Sequence, residues 1–130
     1  MVAEGFRKLG VLHRLIENQS LVPKKSGSLF WDEPESNMNP KLMKLIVQLL
    51  LELSKKEQQI IITTHDYVLL KWFDVLDKTD THVRYHVLSR DHDGKIIKHS
   101  TDDYLDIFPN PIDDAYSNLL DTEIEKDLGL

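Results

Sequence analysis

Two β-prone runs separated by one long amphipathic helix constrain this chain more than any other feature. The first run, Ser28-Leu29-Phe30-Trp31, is continuously apolar after its serine and stops at Asp32-Glu33-Pro34. Such a run reads as a buried strand, and Pro34 ends it because proline has no N–H and a fixed φ. The second run, Gln59-Ile60-Ile61-Ile62-Thr63-Thr64, is again rich in β-branched residues and is followed by His65-Asp66. A strand, a helix and a strand form a βαβ unit, whose two strands must run parallel. Parallel strands deliver Asp32, Glu33 and His65 to one edge of the sheet. In open α/β sheets that edge, at the strand C-termini, is where ligands bind.

The side chains at this edge have usable chemistry. One of two adjacent carboxylates could hold a hard cation while the other orients or deprotonates a water. An imidazole titrates near neutrality and can exchange hydrogen bonds with an anion. Taken singly, an acidic turn that stops a strand or a structural histidine would explain each run. Their convergence on one edge makes a reactive site the stronger expectation.

The intervening helix is predicted from Asn39, which caps it, through Pro40, whose missing N–H costs nothing in the first turn, to about Lys55. Leu42, Ile46, Leu49, Leu50 and Leu53 fall on one face, widened by Met43, Leu45, Val47 and Leu51, so the helix is expected to cover the sheet. A helix is predicted over residues 4–17, and residues 18–28 form a polar connector. After His65 a short apolar helix continues to Val75. Residues 83–89 and 95–98 then pair as a hairpin through the Asp91-His92-Asp93-Gly94 turn. A short helix is predicted before Phe108-Pro109, and a last one from Pro111 to about Lys126 with Ala115, Leu119 and Leu120 facing inward.

Leu29-Phe30-Trp31-Asp32-Glu33-Pro34-Glu35-Ser36-Asn37-Met38-Asn39-Pro40, followed by a strand ending in Thr64-His65-Asp66, resembles the C-terminal half of ABC-type ATPase domains. The resemblance is closest to soluble AAA-family ATPases of ABC architecture, the RecF-like and overcoming-lysogenization-defect-like (OLD-like) proteins, and it covers most of the chain. It implies an α/β fold: a partial P-loop NTPase core with a parallel βαβ unit, an antiparallel hairpin and C-terminal helices. It further implies that Asp32 is the magnesium-associated Walker B aspartate, Glu33 the residue that polarises the attacking water, and His65 the switch histidine. Ser36, Asn37 and Asn39 then belong to the D-loop, which crosses a dimer interface in such proteins. The transport-type version has aspartate where this chain has Asn39. Ala3-Glu4-Gly5 stands where the signature motif is expected but is a degenerate form, with Ala3 in place of serine. The cofactors implied are ATP and Mg2+, and the assembly a homodimer.

One part of such an enzyme has no counterpart in the sequence. Gly5-Phe6-Arg7-Lys8-Leu9-Gly10 has the spacing of a phosphate loop, but Val11 and Leu12 follow it where Lys and Ser or Thr are required. The chain is therefore expected to be the C-terminal portion of an ABC-type ATPase domain, completed by a missing N-terminal segment that carries the loop. In that family the loop-bearing strand lies beside the strand ending at His65. Without it, residues 59–64 would form an unpaired apolar edge. The alternative is a non-catalytic protein-interaction module derived from such an ATPase.

A length of 130 residues and ordinary globular composition predict a single unit. No apolar stretch approaches the ~20 residues that span a bilayer, and no signal-peptide layout opens the chain, so a cytoplasmic protein without membrane contact is expected. Absence of cysteine excludes disulfides and thiolate chemistry. A net charge of −6 argues against a broad nucleic-acid footprint, so any DNA contact would be local or lie outside this chain. His82, His86, Asp91, His92, Asp93 and His99 contain metal-ligating types, but strand spacing scatters them and the turn calls for Asp and Gly on its own account.

Overall fold

The computed structural model describes residues 4–78 and 81–129, which divide into two compact units, one up to His82 and one from Val83. In the first unit the order is α1 (Glu4–Glu17), β1 (Leu29–Asp32), α2 (Pro40–Lys55), β2 (Ile60–Thr63) and α3 (Tyr67–Leu76). The second holds β3 (Tyr85–Arg90), β4 (Ile96–Thr101), a 3-10 turn (Tyr104–Asp106) and α4 (Pro111–Leu128). The class is α/β, with a parallel strand pair and a separate antiparallel hairpin.

β1 and β2 pair in parallel, with Leu29 opposite Ile60 and Asp32 opposite Thr63. Strand alternation puts Leu29, Trp31, Ile60 and Ile62 on a half-buried face and Phe30, Asp32, Ile61 and Thr63 on the other. Contrary to the expected fully buried strand, Phe30 is 73% exposed and its register partner Ile61 is 40% exposed. The runs are apolar on both faces, but among the described residues only one face is covered.

α2 starts as its sequence dictates: the Asn39 side chain accepts a hydrogen bond from the Lys41 amide, and Pro40 occupies the first turn. Its buried residues are Met43, Ile46, Val47, Leu50 and Leu51. The inward arc thus centres roughly a quarter turn away from the one predicted, at 100° per residue. Leu49 and Leu45 are exposed, while Leu42 and Leu53 are half-buried. The helix is apolar around most of its circumference, so the sequence alone does not choose which part packs against α3. On α3, Leu69 and Phe73 complete that contact, and Asp66 caps the helix by accepting from the Leu69 amide at 2.7 Å. Gly5 brings α1 to the foot of α2. A Cβ there would lie 3.0 Å from Leu42 Cδ1 and 3.2 Å from Met38 Cγ.

In the second unit Asp91 organises the hairpin turn by accepting from the amides of Asp93 and Lys95, and Gly94 takes the left-handed φ of 78° the turn requires. Tyr85 packs edge-on against Tyr104, which donates its hydroxyl to Asp113. The inward-facing Ala115, Leu119 and Leu120 expected on α4 are a further correction, since no residue of that helix is buried. Ile112, Tyr116, Leu120, Ile124 and Leu128, five of its apolar positions, are four apart and so drift about 40° per step around the axis. No face is apolar throughout. Among the described residues, no helix is long and apolar enough to cross a membrane.

Candidate active site

The parallel register carries the two strand tips to the same level. Asp32 and Thr63 are opposite each other, and the Thr63 hydroxyl donates to Asp32 Oδ1. One residue further, the Glu33 amide donates to the Thr63 carbonyl at 3.0 Å, so the ladder extends through Glu33. The chain then turns away from strand geometry, with Glu33 at φ 44°. That is left-handed backbone, uncommon for a residue with a long side chain and retained only where the surroundings enforce it. The Glu33 carboxylate reaches the second tip, its Oε1 lying 2.8 Å from His65 Nδ1. With side-chain exposures of 42% for Glu33 and 78% for His65, the pair is open to a ligand.

A second contact between the tips lies deeper. Glu35 is only 8% exposed, and its Oε1 accepts from the Thr64 hydroxyl at 2.6 Å. Thr64 Oγ1 in turn accepts from the Asp66 amide at 3.0 Å, tying the cap of α3 to the same contact. Glu35 Oε2 is buried with no hydrogen-bond partner among the described residues. Thr64→Val should therefore destabilise the fold by about 1–3 kcal/mol, because it strips a buried carboxylate of its remaining donor. Adding Glu35→Met should recover most of the loss, since removing both partners removes the desolvation penalty. Urea unfolding of the single and double variants checks this, and additive losses would contradict the contact.

The segment after Glu33 is a run of tight turns. The Ser36 amide donates to the Glu33 carbonyl at 3.1 Å and the Met38 amide to the Glu35 carbonyl at 2.9 Å, with Asn37 left-handed at φ 56°. Asn37 and Asn39 are exposed, and Asn39 is also the cap of α2. From α1 the Lys8 ammonium reaches this segment, 2.7 Å from the Ser36 carbonyl and 2.8 Å from Ser36 Oγ. The remaining expected site residues lie at the start of α1. Ala3 falls outside the described residues, Glu4 opens the helix, and Gly5 is buried at its contact with Met38. Gly5 and Gly10 both lie within α1, so their phosphate-loop spacing corresponds to no loop.

Lys8, Glu35 and Thr64 are participants that sequence reasoning missed. Lys8 reads as helix surface charge and Glu35 as one more turn carboxylate. Nothing in their local sequence reports the tertiary contacts.

Among the described residues, no group of three His, Cys, Asp or Glu is placed to hold a metal ion. Mg2+ commonly takes one or two carboxylates together with substrate phosphates and keeps several waters. Asp32, exposed at the strand tip, is the carboxylate suited to that role.

Residues 2–71, just over half of the chain, match the family model described as "AAA domain, putative AbiEii toxin, Type IV TA system". A solved structure described as "Structural biochemistry of ATP-driven dimerization and DNA stimulated activation of SMC ATPases" is similar to 94% of this chain, with a TM-score of 0.56 and 19% identity. At that identity the likeness is one of fold. The chain spans 62% of the length of that structure. No curated protein matches it.

Proposed function

The chain belongs to the AAA-domain family whose model it matches over residues 2–71, and from that premise we propose that it is the water-activating portion of an ABC-type ATPase. The observation that carries this reading is the 2.8 Å contact between Glu33 and His65, made by the tips of two parallel strands beside Asp32. Glu33 is the general base that orients the attacking water and takes its proton. His65, in its doubly protonated form, donates Nδ1–H to Glu33 and presents Nε2–H to a phosphoryl oxygen. Asp32, steadied by the Thr63 hydroxyl, stands on the magnesium side. Mg-ATP, when bound, supplies the transferable phosphoryl group and neutralises part of its charge.

Phosphoryl transfer depends on positioning and charge neutralisation, so a phosphate cradle is needed as well as a base. We place that cradle on a segment N-terminal to this chain. Head-to-head homodimerisation, with Ser36, Asn37 and Asn39 near the contact, follows from the resemblance. The ATP-driven dimerization named for the SMC ATPases is in keeping with it. The experiment is phosphate release from Mg-ATP by the protein that joins this chain to a strand and phosphate loop. Turnover is the expected result. Absence of turnover in a folded, ATP-bound assembly would leave the interaction-module reading in its place.

A further inference from the structure

The turn that carries Glu33 converges on Lys8. A lysine ammonium has three N–H donors and no acceptor. Within hydrogen-bond reach of Lys8 Nζ are the carbonyls of Glu33 at 3.2 Å, Pro34 at 3.1 Å and Ser36 at 2.7 Å, and Ser36 Oγ at 2.8 Å. All four oxygens come from one short turn, and none belongs to a carboxylate. Taking an ammonium partly out of water for neutral acceptors costs hydration, which several charge-assisted hydrogen bonds offset. A lysine serving only solubility would stay extended in solvent.

The location of the grip gives it a consequence. Glu33 sits at φ 44°, a strained conformation that persists only where its neighbours over-determine it. On its N-terminal side the amide is fixed to the Thr63 carbonyl, and on its C-terminal side the carbonyl is fixed by Lys8 and the Ser36 amide. Both peptide groups flanking the Glu33 Cα are therefore pinned, and the direction of its side chain follows.

We propose that Lys8 is a positioning residue for Glu33. By drawing the Glu33, Pro34 and Ser36 carbonyls onto one ammonium, it sets the left-handed turn that aims the Glu33 carboxylate at His65. Among the described residues no hydrogen bond or ion pair joins it to either of those side chains. This rests on the assignment of Glu33 under Proposed function, but the geometric half stands without it. Loss of the ammonium frees the carbonyls of the half-buried Glu33 and Ser36, the first of which keeps the Ser36 amide as donor, and that of the buried Pro34. The fold should survive while the aim of Glu33 does not.

Two arms test this. In the 130-residue chain, at a concentration where sedimentation shows monomer, Lys8→Met should shift the amide resonances of Glu33 to Ser36 and the ring resonances of His65. The rest of the spectrum and the melting temperature should stay near wild type, and Lys8→Arg should restore part of the shift. In the ATP-hydrolysing protein, Lys8→Met should lower kcat by about 10-fold or more, with KM for Mg-ATP within about twofold; a misplacement of ~1 Å can cost up to ~10²-fold. Unchanged His65 resonances overturn the proposal. So does a general spectral change with a matching fall in melting temperature, which would make Lys8 a fold residue only. An inactive wild-type protein would count against the proposed ATPase function, while the resonance arm still decides the role of Lys8.

Discussion

Glu33→Gln is expected to lower the ATPase rate of the complete protein by about 10²–10⁴-fold, the range for loss of a positioned base, while Mg-ATP binding is kept. The substitution preserves size and leaves the backbone contacts in place. The Glu33 amide still donates to the Thr63 carbonyl, and Lys8 still holds the Glu33 and Pro34 carbonyls. An amide at this position can also still meet His65, so the strand tips keep their spacing. What is lost is the ability to accept a proton from water. Nucleotide affinity should hold or rise, because one negative charge near the phosphates is removed. Calorimetric titration with Mg-ATP and steady-state phosphate release measure the two effects separately. A rate equal to wild type would remove Glu33 from the role of base, and a parallel loss of binding would make it a nucleotide-holding residue instead.

The placement of the strand tips was legible in the sequence because it is set by local rules. Pro34 stops β1 wherever the strand begins, so starting at Leu29 and not Ser28 leaves Asp32 and Glu33 at the tip. Asn39-Pro40 fixes the first turn of α2, and Asp66 caps α3 directly after His65. Register then follows from the pairing, since Asp32 falls opposite Thr63 and brings Glu33 within reach of the next tip. The features that escaped depend on partners distant in sequence. Glu35 is buried only because Thr64 and the end of β2 arrive beside it, and Lys8 faces the turn only because α1 crosses there. The inward arc of α2 escaped for a different reason: with apolar side chains on most of its circumference, packing against α3 decides which are covered. The expectation of a buried strand was chemically sound for Leu29-Phe30-Trp31, yet Phe30 and its register partner Ile61 stand exposed. Runs apolar on both faces are typical of strands covered on both sides.

That exposed pair leads to the second expected result: the 130-residue chain by itself folds, hydrolyses no ATP, and self-associates as its concentration rises. A core exists without further elements, since Ile46, Val47, Leu50 and Leu69 are at most 2% exposed. Hydrolysis fails because the chain offers Asp32, Glu33 and His65 but no glycine-rich cradle or loop lysine. The two carboxylates would repel a triphosphate that nothing else holds. Self-association follows from the sheet. β1 and β2 form a two-stranded sheet, and Phe30 and Ile61 sit side by side on its open face. Unpaired strand edges next to exposed apolar side chains are a ready template for a second copy. Strand alternation gives Ile60 and Ile62 the half-buried face and leaves Ile61 with Phe30 outside. Ile61→Lys should therefore shift sedimentation toward monomer without lowering the melting temperature appreciably, because charge is tolerated on an exposed face and blocks edge pairing. Ile62→Lys should instead unfold the chain by placing an ammonium on the half-buried face. Micromolar ATP affinity in the lone chain would reveal a phosphate site of its own, and a wild-type chain that stays monomeric at high concentration would show that this sheet needs no cover.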